Sequence, residues 1–333
     1  YGGVALNLVA YSLVNLIAYL IAYPNAWPVE KRLGFLAAGN SLIVLILSSR
    51  SSIFTFFTGL SFDHVIVFHR AVGRVFFVVA TLHMAYYIRF WQLSSNPPSL
   101  DFAFKQLIND VSGKWGFIAW IMMLIINVTS LDWVRRRHFN LFYWSHFAFI
   151  PMYVLVLLHL LVVKNITPFL IPVVIFYGYD RLMRLLKSLT LHRPMKLEHF
   201  DLALKERSQC VRIQFPRSWL SKITPATPRG FCNQYVFLNF PLVCDNRLGA
   251  FEWHPFTVIN PPDSDYFEVA IRDMGPNSYT NKLINILSRT KVHSSLILRS
   301  DGPYGGVDMF QWARTYSSIL YIAGGIGITP VLS

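Results

Sequence analysis

Four histidines inside long apolar runs give the first chemical signal. His69 and His83 share the run Val65–Ile88, and His146 and His159 share Leu141–Val163. Ionisable side chains are costly inside a membrane-spanning helix and mark function there. At about 1.5 Å per residue, the fourteen positions from His69 to His83 span roughly 21 Å, and the thirteen from His146 to His159 nearly the same. Two spans of the same direction therefore predict two imidazole pairs at two depths, His69 with His146 and His83 with His159. A lone histidine in such a helix reads more simply as a hydrogen-bonded core residue; the pairing is what points to metal. Two opposed imidazoles fill both axial positions of a haem iron. Two such haems would form a one-electron wire across a bilayer. Fourteen steps return to within about 40° of the same helix face, whereas thirteen miss by about 140°. Pro151, between His146 and His159, is predicted to kink or rewind the helix and restore the phase. His64, at the membrane surface, and His138, in a basic loop, have no partner at matching depth.

A second constellation lies nearer the end of the chain. His254-Pro255-Phe256-Thr257 offers an apolar wall and a hydroxyl, which suits the face and polar edge of a flat ring system. Read without context it is a strand end before the Pro261-Pro262 turn. Downstream, Ile271-Arg272 and Gly275 precede Tyr279-Thr280-Asn281-Lys282-Leu283. Backbone N–H groups at a helix start, with the Thr280 hydroxyl, can hold a pyrophosphate, and Arg272 can add charge-assisted hydrogen bonds. Ser318–Ala323 reads as a buried strand before Gly324-Gly325-Ile326-Gly327-Ile328-Thr329-Pro330. Glycines after a strand let backbone approach a dinucleotide phosphate, although this run is not GxGxxG and also suits a tight turn.

Two unlike parts must position these residues. The 333 residues are 54% hydrophobic and 14% charged, with mean hydropathy +0.42. An ordinary soluble domain carries about 25% charge. Disorder is excluded by the apolar surface that must be buried, and Cys210, Cys232 and Cys244 form neither a disulfide framework nor a CxxC pair. A span needs roughly 20 mostly apolar residues, which predicts Val4–Tyr23, Leu33–Leu47, Val65–Ile88, Trp115–Leu131, Leu141–Val163 and Phe169–Leu186. After Pro194 short alternating runs predict strands at Cys210–Phe215, Tyr235–Phe240, Tyr266–Ile271, Ser295–Arg299 and Ser318–Ala323. Arg50, Arg70, Arg135-Arg136-Arg137, Arg181, Arg184, Lys187 and Arg193 fall on one side of six spans, which makes that side, and the soluble part, cytoplasmic. The net charge of +13 is then positive-inside bias, and no nucleic-acid partner is expected. The chain opens on Tyr1 and stops inside the glycine motif, which reads as a piece of a longer protein.

The stretches Phe68-His69-Arg70-Ala71-Val72-Gly73-Arg74 and Arg135–His146, with the unequal spacing of fourteen and thirteen, resemble the ferric reductase and NADPH oxidase superfamily of flavocytochromes b. The first stretch is closest to fungal-type ferric-chelate reductases. His254-Pro255-Phe256-Thr257 is similar to the family's flavin motif, and Gly302-Pro303-Tyr304-Gly305 to the element joining its flavin and nicotinamide domains. The resemblance implies a membrane α-helical bundle of about six spans with two haem b (residues 1–191). A ferredoxin-reductase-like β-barrel FAD domain (195–303) and the start of an α/β NAD(P)H-binding domain (304–333) follow. It implies His69, His83, His146 and His159 as iron ligands, and His254, Pro255, Phe256, Thr257, Arg272 and Thr280 as FAD contacts. Gly324, Gly325, Gly327 and Thr329 become NADPH contacts, NADH being the alternative donor. The family's phosphate element is tighter by two residues between Gly275 and Thr280. The implied protein is an integral, multi-pass plasma-membrane enzyme. It passes electrons from NAD(P)H through FAD and the haems to ferric chelates, with cupric chelates as further substrates. Superoxide-generating oxidase is the alternative, and a haem-bearing relay subunit without flavin the second. Family oxidases often place a histidine one turn after the outer ligand, where this chain has Tyr87. Lys31 and Arg32 supply positive charge that an oxygen site would use, or simply snorkel to the interface. Asp101 and Asp110, in the outer loop Trp91–Lys114, are candidate holders of a hard cation or plain solvated charges.

Overall fold

The computed structural model describes residues 2–22, 28–50, 62–163, 167–189, 191–192, 194, 196–202, 208–217, 232–243, 252–261, 264–276, 278–288, 297–307, 316–318, 320 and 322–329. Two compact units emerge: Tyr1–Ser48 with Ile66–Tyr177, and Ser49–Val65 with Gly178–Ser333.

The helices run α1 (Gly2–Ile17, continued by a π turn at Ala18–Ala22), α2 (Val29–Leu47), α3 (Phe62–Ser94), α4 (Leu100–Asn109) and α5 (Val111–Thr129). They continue as α6 (Asp132–Arg137), α7 (Phe139–His146), α8 (Phe149–Val163) and α9 (Thr167–Leu189). Helical segments fall within all six predicted apolar runs, the end of the first, Tyr23, lying outside the described residues. Among the described residues, three stretches are long and apolar enough to cross a membrane: Val65–Ser94, Val111–Thr129 and Phe139–Leu161. Their outward residues, such as Val78, Leu82, Ile125 and Val154, are exposed apolar groups, the pattern of helices whose solvent is lipid. Leu33, Ala37, Phe76, Ala119, Met123 and Met152 form the buried seam between α2, α3, α5 and α8. The buried Asn40 amide is satisfied, accepting from the Tyr11 hydroxyl at 2.6 Å and donating to Asn15 Oδ1 at 2.6 Å, so α1 is tied to α2.

The predicted loop Trp91–Lys114 is mostly structured. Ser99 caps α4 by accepting the Phe102 N–H, and Asp110 ends α4 and caps α5 by accepting the Gly113 N–H at 2.6 Å. An anionic cap satisfies an orphan donor and favours the helix dipole. Asp101 pairs with Lys105 at 2.6 Å. Both carboxylates thus have structural work, and among the described residues no cluster of three metal-binding side chains exists.

The second unit contains β1 (Leu191–His192), β2 (Lys196–Leu202), β3 (Ser208–Pro216), β4 (Cys232–Asn239), β5 (His254–Thr257), β6 (Tyr266–Arg272), α10 (Tyr279–Ser288) and β7 (Leu298–Val307). One sheet has the order β1-β7-β4-β5 and the other β2-β3-β6. All pairs are antiparallel, and a Val258–Val269 bridge links the sheets. Inward residues of both sheets, including Ile213, Phe215, Val236, Leu238, Phe267 and Val269, pack with Leu283, Ile284 and Leu287 of α10 in one core.

Three expectations need correction. The strand predicted at Ser295–Arg299 is β7, which begins at Leu298 and runs unbroken through residue 303 to Val307; residues 295 and 296 lie outside the described ones. Second, the described residues of Ser318–Ala323 form no strand, and Leu320 and Ile322 are 85% and 90% exposed. A strand of a parallel sheet is buried by neighbouring strands at its edges and by helices on both faces, and the described residues supply neither there; Ile319 and Tyr321 lie outside them. Third, the break between His146 and His159 falls at Phe147–Ala148, ahead of Pro151. There the chain tightens into 3₁₀-type bonds from Phe147, Ala148 and Ile150 to residues three before them. A 3₁₀ turn winds about 120° per residue, so each such residue recovers about 20° of lost phase.

Candidate functional site

The structure brings the four membrane histidines together as two pairs. The rings of His69 and His146 have centres 6.3 Å apart, and those of His83 and His159 6.1 Å. Two imidazoles facing each other across a metal, with nitrogen–metal bonds of about 2 Å, put their ring centres roughly 6 Å apart. Both separations fit such a metal.

Second hydrogen bonds orient the rings. His69 Nδ1 donates to the Val44 carbonyl at 3.0 Å, His83 Nδ1 to the Glu30 carbonyl at 2.8 Å and His159 Nδ1 to the Ser112 carbonyl at 2.9 Å. A carbonyl only accepts, so Nδ1 carries the proton and Nε2 keeps its lone pair for a ligand bond. His146 Nδ1 has a longer contact, 3.5 Å to Ser130 Oγ. Two glycines make room. A Cβ on Gly34 would lie 2.7 Å from His83 Cε1, and one on Gly116 would lie 3.1 Å from His159 Nδ1. These glycines and carbonyls had no visible signature in the sequence.

A cavity of about 720 Å³ surrounds the second pair, within the usual range for cofactor sites. It reaches from Phe76 and Met152 past His83 and His159 to Tyr87, Trp91 and Lys31. The Tyr87 ring meets His83 edge-on, with centres 5.0 Å apart. Lys31 is the one lysine or arginine among its described lining residues.

In the second unit, β5 carries the His-Pro-Phe-Thr run against β4, with Thr257 opposite Tyr235 and His254 opposite Leu238. The His254 ring stacks on Tyr279 at 3.8 Å, and its buried Nε2 has no hydrogen-bond partner among the described residues. Burial holds this imidazole below its ordinary pKa, with Glu252 pulling upward. An orphaned buried nitrogen of this kind fits a polar ligand that would supply its missing hydrogen bond. Pro255 is exposed, and Phe256 packs against the core.

Thr280 opens α10, but its hydroxyl accepts the Met274 N–H at 3.1 Å and lies 3.2 Å from Ser278 Oγ. Ser278 caps the helix through the Asn281 N–H, while Asp273 accepts from Gly275 N and from Asn281 Nδ2. Ser278 and Asp273 were missed in the sequence, although a serine three residues before Asn281 is a cap signal. Gly325, at φ 55°, begins a 3₁₀ turn to Ile328, and its Cβ position lies 3.4 Å from Arg272 Nη1. Gly324 and Gly327 are exposed, and the Thr329 hydroxyl donates to the Ile326 carbonyl. Arg272 thus stands beside the glycine turn.

A further polar cluster escaped sequence reasoning because its members are far apart in the chain. The buried Asp301 carboxylate accepts from Arg184 Nε at 3.2 Å and from the Tyr304 hydroxyl, and lies 3.8 Å from Arg50 Nη1. The Arg50 guanidinium stacks 3.8 Å above Phe237. Burial and the neighbouring carboxylate push the Tyr304 phenol well above its ordinary pKa. Gly302 sits at φ 144° with its Cβ position 3.2 Å from Val236 Cα, so β7 and β4 approach too closely there for a side chain.

Residues 33–157 match a family described as ferric reductase like transmembrane component, and residues 197–308 one described as FAD-binding domain. The chain is 27% identical over 225 residues to ferric reduction oxidase 8, mitochondrial, of Arabidopsis thaliana, covering 66% of this chain and 28% of the relative. It is 25% identical over 302 residues to a superoxide-generating NADPH oxidase heavy chain of Dictyostelium discoideum, covering 82% and 54%. Ferric reductase transmembrane component 6 of Saccharomyces cerevisiae is 24% identical over 304 residues, covering 89% and 39%. The matched part is about half or less of each relative's length.

Proposed function

The chain belongs to the ferric reductase and NADPH oxidase superfamily, and on that premise we propose that it passes electrons from cytosolic NAD(P)H across a membrane to ferric chelates. The observation that carries this reading is the pair of histidine pairs, 6.3 and 6.1 Å between ring centres at two depths. When bound, flavin turns a two-electron hydride into single electrons and haem iron accepts them one at a time.

The chain's own residues bind and orient. His69 with His146, and His83 with His159, hold two haem b. The carbonyls of Val44, Glu30 and Ser112 fix the ring tautomers. Thr257 and His254 line the isoalloxazine, with Pro255 and Phe256 forming the strand that presents them. Arg272 and the Thr280 end of α10 hold the FAD pyrophosphate. Gly324, Gly325, Gly327 and Thr329 present a turn to NADPH, or to NADH. The basic residues near Arg135–Arg137 and Arg181–Arg193 support a reading with the flavin part on the cytoplasmic side, and the plasma membrane is the membrane proposed.

Oxygen is the second acceptor reading, favoured by the Lys31 ammonium in the His83–His159 cavity. Vesicles carrying the intact protein and supplied with NADPH distinguish the two. Ferric-chelate reduction that persists without oxygen supports the first reading. Reduction seen only in air and abolished by superoxide dismutase replaces it with the second. His83→Leu should remove one haem and stop transmembrane transfer, while NADPH oxidation by an artificial cytosolic acceptor continues.

A further inference from the structure

Helix α4 shows a surface that the electron-transfer reading does not use. At 100° per residue, Ala103, Leu107, Leu100, Phe104 and Ile108 occupy one apolar arc of about 140°. Half of that arc is packed: Ala103 and Leu107 are buried, and Leu107 lines the cavity that holds His83 and His159. The other half has no partner among the described residues. Leu100, Phe104 and Ile108 are 52%, 49% and 58% exposed, and Val111, the first residue of α5, is 61% exposed. Asp101, Lys105, Gln106 and Asn109 lie outside that arc, where Asp101 and Lys105 make an exposed ion pair and Phe102, 36% exposed, is the one apolar residue among them.

The chain on both sides of α4 says what covers this stripe. α4 connects the ends of two membrane-length helices, Val65–Ser94 and Val111–Thr129. Their own exposed apolar residues, Phe90 and Leu93 at the end of one and Val111 at the start of the other, adjoin the stripe in sequence. A short helix with an apolar side and a charged side, placed at the end of spanning helices, is stable in the plane between headgroups and acyl chains.

We propose that α4 lies in the membrane–water interface on the His83–His159 side, with Leu100, Phe104 and Ile108 seated among lipid acyl chains and the Asp101–Lys105 pair facing water. The same helix presents Leu107 to the cavity, so α4 is the wall between the lipid and the second histidine pair. The inference rests on the chain's being an integral membrane protein; the acceptor and the cofactors do not enter it.

Single cysteines test the placement in the intact protein with Cys210, Cys232 and Cys244 changed to Ala. Phe104→Cys, Ile108→Cys and Lys105→Cys are each labelled with a fluorophore in phosphatidylcholine vesicles. Nitroxide carried near the lipid headgroup should quench positions 104 and 108 several-fold more than position 105, and aqueous iodide should show the reverse order. Equal iodide access at all three positions overturns the proposal. Shielding of 104 and 108 from both quenchers also overturns it, because protein then covers the stripe. The unsubstituted protein provides a check that needs no variant. A carbene-generating lipid probe should label peptides spanning 100–111 on the apolar positions, and absence of label there counts against the interface in the same way.

Discussion

Gly34→Ala is the sharpest test of the second histidine pair. The new Cβ would lie 2.7 Å from His83 Cε1 and 3.0 Å from Nδ1. Carbon atoms pack at about 3.5–4.0 Å, so the ring must retreat by roughly 1 Å. Its 2.8 Å bond to the Glu30 carbonyl would then stretch beyond useful length, losing about 1 kcal/mol net. Overpacking adds about 1–3 kcal/mol. A total of about 2–4 kcal/mol corresponds to roughly 30- to 900-fold in affinity for a metal-centred cofactor held by that ring. Gly39→Ala, on the same helix with nothing within 4 Å, is the control, and helix propensity predicts a gain of about 1 kcal/mol. The assay is the haem-to-protein ratio with a redox titration of each haem. Gly34→Ala should lose or perturb one haem, while Gly39→Ala keeps both and flavin-dependent NADPH oxidation is unchanged in each. If Gly34→Ala retains both haems at the parent's midpoint potentials, His83 is not an iron ligand held in this geometry.

Further outcomes follow in the second unit. Arg272→Ala removes a cation from a dianionic group and should cost about 1.5–3 kcal/mol, or roughly 10- to 150-fold in FAD affinity; undiminished FAD retention after gel filtration argues against that role. Asp301→Asn leaves the half-buried Arg50 and Arg184 without their carboxylate and should destabilise, by less than the loss of about 3–5 kcal/mol for a fully buried pair; thermal unfolding reads this, and an unchanged midpoint refutes it. Burial depresses the His254 and His192 imidazoles, so the unfolded chain binds those protons more tightly. Stability from both is full above about pH 6.5 and falls as pH drops through the lower folded values. Unfolding midpoints should decline in that window, and His254→Phe should flatten part of the decline; an identical profile in that variant removes His254 from the explanation.

Much of the architecture was legible because its signals are local. Runs such as Val65–Ile88 exceed what a soluble helix needs, and Tyr235-Val236-Phe237-Leu238 is a short run rich in aromatic and β-branched residues of the kind that forms strands. Both became elements of the predicted kind. α4 was hidden in a loop without a long apolar run, although its Ser99 cap and its spacing of Leu100, Phe104 and Ile108 were readable. Nothing in the sequence marks the carbonyls of Val44 and Glu30 as hydrogen-bond acceptors, since every residue has one. The Asp301 cluster joins residues more than a hundred positions apart, a relation fixed only by tertiary packing. Ser318–Ala323 shows the converse limit: strand propensity is a statement about fitting a sheet, and the described residues put no sheet beside it.

The fourteen-residue interval on α3 has an electrical consequence. His69 and His83 stand roughly 21 Å apart along one helix, in a bilayer whose hydrocarbon core is about 30 Å thick. An electron passing between metals held at those two levels crosses about two-thirds of the insulating layer. Moving one charge through the whole potential is worth about 2.3 kcal/mol per 100 mV, so this jump alone carries about 1.6 kcal/mol per 100 mV, or roughly 15-fold in its equilibrium. Under the proposed function, with its flavin part cytoplasmic, an interior-negative voltage would drive the electron outward, each turnover would discharge that voltage, and sustained flux would require a compensating cation current or proton movement through some other path in the same membrane.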